Sequence, residues 1–418
     1  MLATVGTAAL LTPVGCGWTS SGTQTPATTT AAAPSTTDQQ AAGGDTSVAQ
    51  ASPELIVGGA SPGTGAWINP QARQEPGEDN APATFNLQQV TFAEEGSDFD
   101  PAISRDGSRI VFASTQHRPT ADLYVKSISG RTITQLTSDP SEDGTPDISP
   151  DGSNVAFASN RGGSWDIYVM PISGGKAVAV TQDASDELHP SWSPDGTQLV
   201  FCRMGPTSGR WEMWVTDATK AGSATFIGYG LFPRWCPSSG TGENGADRIV
   251  YQVGRERGQR SFAIWTVDYH DGQASNPTLI ASSSSAALIN PTWSPDGRFI
   301  AYASVPASET SGQRPSAELW LASVMGDATV RLTSGDLRAI RPAWGPANRL
   351  YFVSDRNSTE NIWSIDLAQS LASAGGTPAA TTAAAKPKST LVPGSRQSSS
   401  AEEPAETTAD ASEEDSGD

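Results

Sequence analysis

Histidine and cysteine each occur only three times in 418 residues, and that scarcity removes several chemistries at once. His117, His189 and His270 are far apart in the chain, no G-x-S-x-G elbow occurs, and no Cys-x-x-Cys or Cys-His spacing suggests zinc. A Ser-His-Asp hydrolase is therefore not expected, the chain reads as a non-enzyme, and neither metal nor cofactor is assigned. Basic residues are also few: 26 Lys and Arg stand against 45 Asp and Glu, for a net charge of -19. Nucleic-acid binding, which generally needs a basic footprint, is not expected. Long apolar runs are missing as well, since the stretch from Leu2 to Leu11 is too short to span a bilayer as a helix. Cys202 and Cys236 read as small buried residues, with a disulfide between them left open.

What the chain does have is a phrase led by proline that returns six times, at Pro101, Pro146, Pro190, Pro233, Pro291 and Pro342. The intervals are 45, 44, 43, 58 and 51 residues. Three copies read PDISPDG, PSWSPDG and PTWSPDG, and three are looser: PAISRDG, PRWCPSS and PAWGPAN. Two residues after each proline stand Ile103, Ile148, Trp192, Trp235, Trp293 and Trp344. A second apolar position carries Phe112, Phe157, Phe201, Tyr251, Tyr302 and Phe352, and a third Tyr124, Tyr168, Trp214, Trp265, Trp320 and Trp363. The third position lies in runs such as DIYVM and ELWLA that read as strands. Short strands repeating at a period in the forties predict propeller blades, and the aromatic stripe is then blade packing.

The punctuation agrees. Ser149-Pro150-Asp151-Gly152 and its equivalents at Ser193 and Ser294 suit a type I turn between two strands. Gly174-Gly175 and Asp271-Gly272 sit where the third and fourth strands of their blades join. The expected fold is all-β: a six-bladed propeller of four-stranded antiparallel blades. The sixth unit lacks an outer strand, and Leu87 to Thr91 matches the missing phrase, so this N-terminal strand is expected to close the ring.

Ser159-Asn160-Arg161, the run Asp166 to Met170, and unit ends at Leu136-Thr137 and Leu332-Thr333 resemble the WD-related propeller repeats of the TolB family. The resemblance covers roughly Phe85 to Leu367. It implies a periplasmic component or accessory of the Tol-Pal envelope system that binds a protein or peptide, an envelope lipoprotein in the family's case. Similar propellers occur in peptidases and polysaccharide lyases, and a carbohydrate-active or peptidase-associated propeller is the alternative. The region ahead of the propeller reads as a linker where the TolB family carries a separate α/β domain.

The expected organisation is a segment like a signal peptide over 1–17, a disordered Ser/Thr/Ala/Pro-rich linker over 18–84, the propeller over 85–370 and a disordered acidic tail over 371–418. Val14-Gly15-Cys16 resembles the end of a bacterial lipobox, with Cys16 as the lipidated residue, although no Lys or Arg precedes it and Pro13 stands where Leu is usual. These features point to the bacterial envelope, periplasmic or held to the membrane through a lipid anchor, and to a monomer.

Two sets of residues are expected to share one rim of the channel. The residues just before the six prolines are Asp100, Thr145, His189, Phe232, Asn290 and Arg341, and Arg161, Arg255 and Arg356 each follow a second-strand aromatic by four. A partly basic rim suits carboxylates, because arginine binds them bidentately. The alternative is that these arginines brace neighbouring aspartates such as Asp166 and Asp355. The acidic run Asp183 to Glu187 reads as a solvated loop, since its spacing does not match a calcium loop.

Overall fold

The computed structural model describes residues 86–375, except 221, 223, 255–261, 307–315, 327 and 335–337. Its described strands form six four-stranded sheets, each antiparallel and each built outward from an inner strand. The inner strands are Asp98–Ile103, Asp143–Ile148, Glu187–Trp192, Leu231–Trp235, Ala286–Trp293 and Ile340–Trp344. In the first blade Arg109–Ser114, Asp122–Ser127 and Ile133–Gln135 follow in order, and the next four blades repeat that plan.

The sixth blade takes its outer strand from the other end of the chain. Gln88–Gln89 pairs antiparallel with Asn361–Asp366, Gln89 opposite Trp363. The chemistry of this closure copies that of blades whose strands are consecutive. In blades 1, 2 and 5 the outer segment ends in a threonine whose hydroxyl accepts the amide of a third-strand residue: Leu123 to Thr137 at 2.9 Å, Ile167 to Thr181 at 2.8 Å and Leu319 to Thr333 at 2.9 Å. Thr91 takes the amide of Ile362 at 2.9 Å in the same way. Asn361 then holds the segment from below, accepting from Ala93 N at 2.7 Å. On the other side, the buried ammonium of Lys126 donates to the carbonyl of Val90 at 2.7 Å and ties blade 1 to the closing strand.

The core lies within and between blades. Phe112, Phe157, Phe201, Tyr302 and Phe352 are fully buried, as expected for aromatic side chains packed on pleated surfaces. Burying each contributes roughly 1.5–3 kcal/mol. The first turns form as predicted, with Gly152 N donating to Ser149 O at 2.8 Å and Ser149 Oγ to Asp151 at 2.6 Å. Asp271 and Gly272 both take positive φ, which gives the two-residue hairpin its primed turn. Cys202 and Cys236 are buried free thiols. After the last strand the chain adds a short helix, Ala368–Ser373, which the sequence reading did not anticipate; Leu371 docks its inner side. Among the described residues no helix is long and apolar enough to cross a membrane.

Candidate functional site

Each inner strand carries a bulge, and all six bulges fall at the same place. The register against the second strand shifts between Phe99 and Ala102, Gly144 and Asp147, Leu188 and Ser191, Leu231 and Arg234, Ile289 and Thr292, and Ile340 and Ala343. At each one the residue before the repeat proline is left-handed: Asp100, Thr145, His189, Phe232, Asn290 and Arg341 have φ between 49 and 58°. A left-handed conformation costs a residue with a side chain about 1–2 kcal/mol, and a following proline restricts it further. A bulge re-aims a side chain, so the strained positions turn these six residues toward the axis.

Their side chains meet across blade boundaries. Arg341 of blade 6 forms an ion pair with Asp100 of blade 1, and Asp100 also accepts from Thr145 N of blade 2 at 3.1 Å. His189 and Phe232, from blades 3 and 4, stack with ring centroids 3.7 Å apart. The imidazole is held down to about 3, first by loss of water and then by the positive charge of Arg234, so it is neutral at physiological pH. Asn290 N is taken by Gln252 at 2.7 Å. The ring is therefore nearly neutral, an ion pair on one side and an aromatic pair on the other.

The predicted arginines do not join this ring. Arg161 is spent within blade 2: its guanidinium donates to both oxygens of Asp143 at 2.8 and 3.0 Å, lies over the rings of Phe157 and Tyr168, and pairs at 2.9 Å with Asp139 in the connection from blade 1. The brace expected at Asp166 is thus made to Asp143 and Asp139. Asp355 is reached by Arg338, which pairs with Glu360 at 2.8 Å. Arg356 is exposed and lies 6.0 Å from the Trp363 ring. Arg255 and Cys16 lie outside the described residues.

Two charged residues that the sequence reading passed over meet across the ring. Asp147 and Arg234 each follow a repeat proline by one, and they pair at 2.9 Å although blade 3 lies between their blades. The other Asp147 oxygen accepts from Trp192 N at 2.9 Å. Loss of water pushes this carboxyl up, and Arg234 draws it back. Arg105, also passed over, is exposed in the first turn of blade 1, where the other five units have proline. Among the described residues no group of three or more His, Cys, Asp or Glu side chains is placed to hold a metal ion.

The TolB beta propeller domain family model matches residues 83–230. No curated protein matches the chain. Among solved structures, a putative TolB from Agrobacterium tumefaciens is similar at 20% identity over 65% of this chain and 90% of that one, with a TM-score of 0.48. An oligogalacturonate lyase from Vibrio parahaemolyticus is similar at 13% identity over 70% and 99%, with a TM-score of 0.47. TolB from Acinetobacter baumannii follows at 18%, 63%, 64% and 0.44.

Proposed function

We propose that this chain, whose propeller is TolB-like, is a non-catalytic binding protein of the bacterial envelope that takes a protein or peptide segment at the loop-lined mouth of its channel. The observation that carries this reading is the repeated bulge. Six equivalent positions keep one strained backbone and change their side chain every time: Asp, Thr, His, Phe, Asn, Arg. A backbone need common to all blades would favour glycine or asparagine at each. Instead the scaffold is constant and the chemistry variable, as in a recognition surface.

Within that ring the aromatic pair is the anchor. Phe232 and His189 are half-buried and offer a neutral, flat surface beside the Asp100–Arg341 pair, a combination suited to an apolar side chain flanked by a polar backbone. Attachment through Cys16, a monomeric state and an envelope lipoprotein as partner belong to the same proposal.

Site-specific crosslinking tests it. A photoreactive phenylalanine analogue at position 232 in cells should give a discrete adduct with one envelope protein, and the same analogue at exposed Met325 should not. Phe232→Ala should then weaken affinity for that protein about tenfold or more, since truncating a hot-spot residue costs at least about 2 kcal/mol. Equal adducts from both positions, or unchanged affinity, would remove the loop mouth as the binding site.

A further inference from the structure

Opposite the third-strand aromatic, the outer strand carries Gln135, Ala179, Phe226, Leu279, Arg331 and Gln89 in blades 1 to 6. Only blade 3 places an aromatic ring there, and Phe226 is 42% exposed. Five blades pack without such a ring, so blade packing does not explain it.

The backbone brings a second ring beside it. In a regular strand residues 226 and 229 would point to opposite faces. Here the outer strand Thr225–Tyr229 shifts register against the third strand Trp211–Asp217: Phe226 stands opposite Trp214, Gly228 opposite Met213 and Tyr229 opposite Glu212, which leaves Ile227 as the extra residue of a bulge. Gly228, at a φ of 146°, takes backbone that residues with side chains avoid. Both rings therefore share one face. Phe226 meets Trp214 edge to face at 5.5 Å and Tyr229 at 5.2 Å, with interplanar angles of 65 and 68°.

Two guanidinium groups frame this row. Arg203 lies 3.8 Å over the Trp214 ring and Arg210 4.0 Å over the Tyr229 ring, so those ring faces are closed to a flat ligand. The charges balance at the surface, where Asp183 and Glu212 accompany the two arginines; Glu187, also near Arg203, is buried. An uncharged partner is the complementary one. Both Glu212 oxygens already accept, from Ser208 Oγ at 2.8 Å and from Trp214 Nε1 at 3.0 Å. Among the described residues the half-buried Tyr229 hydroxyl makes no hydrogen bond. Engaged acceptors beside an open hydroxyl suit a ligand rich in carbonyls and poor in donors. A proline-rich segment is such a ligand: proline has no N–H, its extended helix leaves every carbonyl without an internal partner, and such segments dock on aromatic-lined surfaces. A sugar, whose hydroxyls donate, finds both Glu212 oxygens engaged.

We propose that the outer flank of blade 3 is a docking surface for an uncharged proline-rich segment, with a proline ring against Phe226 and Tyr229 and a backbone carbonyl accepting from the Tyr229 hydroxyl. The surface lies on the outermost strand, away from the axis, so it stands or falls independently of partner binding at the loop mouth.

The test uses the full chain and three variants. Phe226→Gln installs the residue that blades 1 and 6 carry at this place, Tyr229→Phe removes one hydroxyl, and Val178→Gln alters an exposed residue on the outer strand of blade 2. The probes, titrated by calorimetry, are a capped decaproline, a capped Gly-Ser decapeptide and chitotetraose. Wild type should bind decaproline about tenfold more tightly than either other probe. Phe226→Gln should weaken that binding about tenfold, Tyr229→Phe about threefold, and Val178→Gln not at all. Tyr229→Phe keeps both ring and strand, so it decides the matter should Phe226→Gln unfold. Decaproline binding no tighter than the Gly-Ser peptide, chitotetraose binding in its place, or full affinity in Phe226→Gln or Tyr229→Phe would overturn the proposal.

Discussion

The blade bodies and the axis they enclose are built from the same six repeats, yet they treat charge in opposite ways. Away from the axis each ionic group is matched closely: Arg161 with Asp143 of its own blade and Asp139 of the connection before it, Arg338 with Glu360 and Asp355 of the blade it leads into, and Lys126 across a seam with the carbonyl of Val90. At the axis a strained backbone is repeated, the residue type is not, and one ion pair, Asp147 with Arg234, skips a blade. Seam chemistry recurs because it holds the ring together. Axis chemistry varies because the ring is already held, and the proposal of recognition at the axis rests on that difference.

The strongest way to break the contrast is to remove a seam. Deleting residues 87–91 takes away the strand that completes blade 6, including Thr91's bond to Ile362 and the carbonyl that receives Lys126. Stability should fall by more than about 4 kcal/mol, with aggregation through the unpaired edge. Thermal unfolding and light scattering decide the matter; an unchanged midpoint would mean that the closing strand contributes no stability.

A single matched charge within a blade should come next. Asp143 is fully buried and Arg161 partly so, hence Asp143→Ala removes the inner of Arg161's two carboxylate partners and should cost about 2 kcal/mol. Arg161→Gln should lower the midpoint as well, whereas Arg356→Gln, which breaks no ion pair among the described residues, should stay within about 0.5 kcal/mol of wild type. Denaturant unfolding of the three variants tests both halves. Equal losses for Arg161→Gln and Arg356→Gln would erase the distinction between a bracing and a free arginine.

Most of the scaffold was legible because it repeats. The prolines, the Ser-Pro-Asp-Gly turns and the terminal threonines recur at matching positions, and Val90-Thr91 could be recognised as a displaced copy of Leu136-Thr137. What could not be read was contact between side chains distant in sequence, within a blade or across blades. Arg161 sits in a loop, and nothing in its local spacing says that Asp143, 18 residues upstream, ends beside it. Asp147 and Arg234 are 87 residues apart and skip a blade. The bulges ran against local rules, because a residue before proline ordinarily avoids helical backbone of either hand. The same rule kept the six axis residues looking like a rim, when the bulge places them inside the inner strand.

The finest comparison sets one seam acid against one axis base in the same blade. Glu187 is buried, and burial, reinforced by Asp166 and Asp183 and opposed by the Thr181 hydroxyl and Arg203, pushes its carboxyl up to about 7 from 4.5. Between those values the folded chain holds a proton that the unfolded chain has lost, so this group's contribution is present at low pH and fades as pH rises through 7. His189 works the other way. Its imidazole is held down to about 3, so below 6.5 the unfolded chain binds a proton that the folded chain refuses, and this contribution is lost as pH falls. The two slopes oppose each other between pH 5 and 6.5. Relative to wild type, Glu187→Gln should lose about 1 kcal/mol more stability on going from pH 7.5 to 5, and His189→Gln should lose about 1 kcal/mol less. Urea unfolding at the two pH values measures the difference, and parallel profiles for the variants would show that neither the seam carboxyl nor the axis imidazole changes its proton affinity on folding.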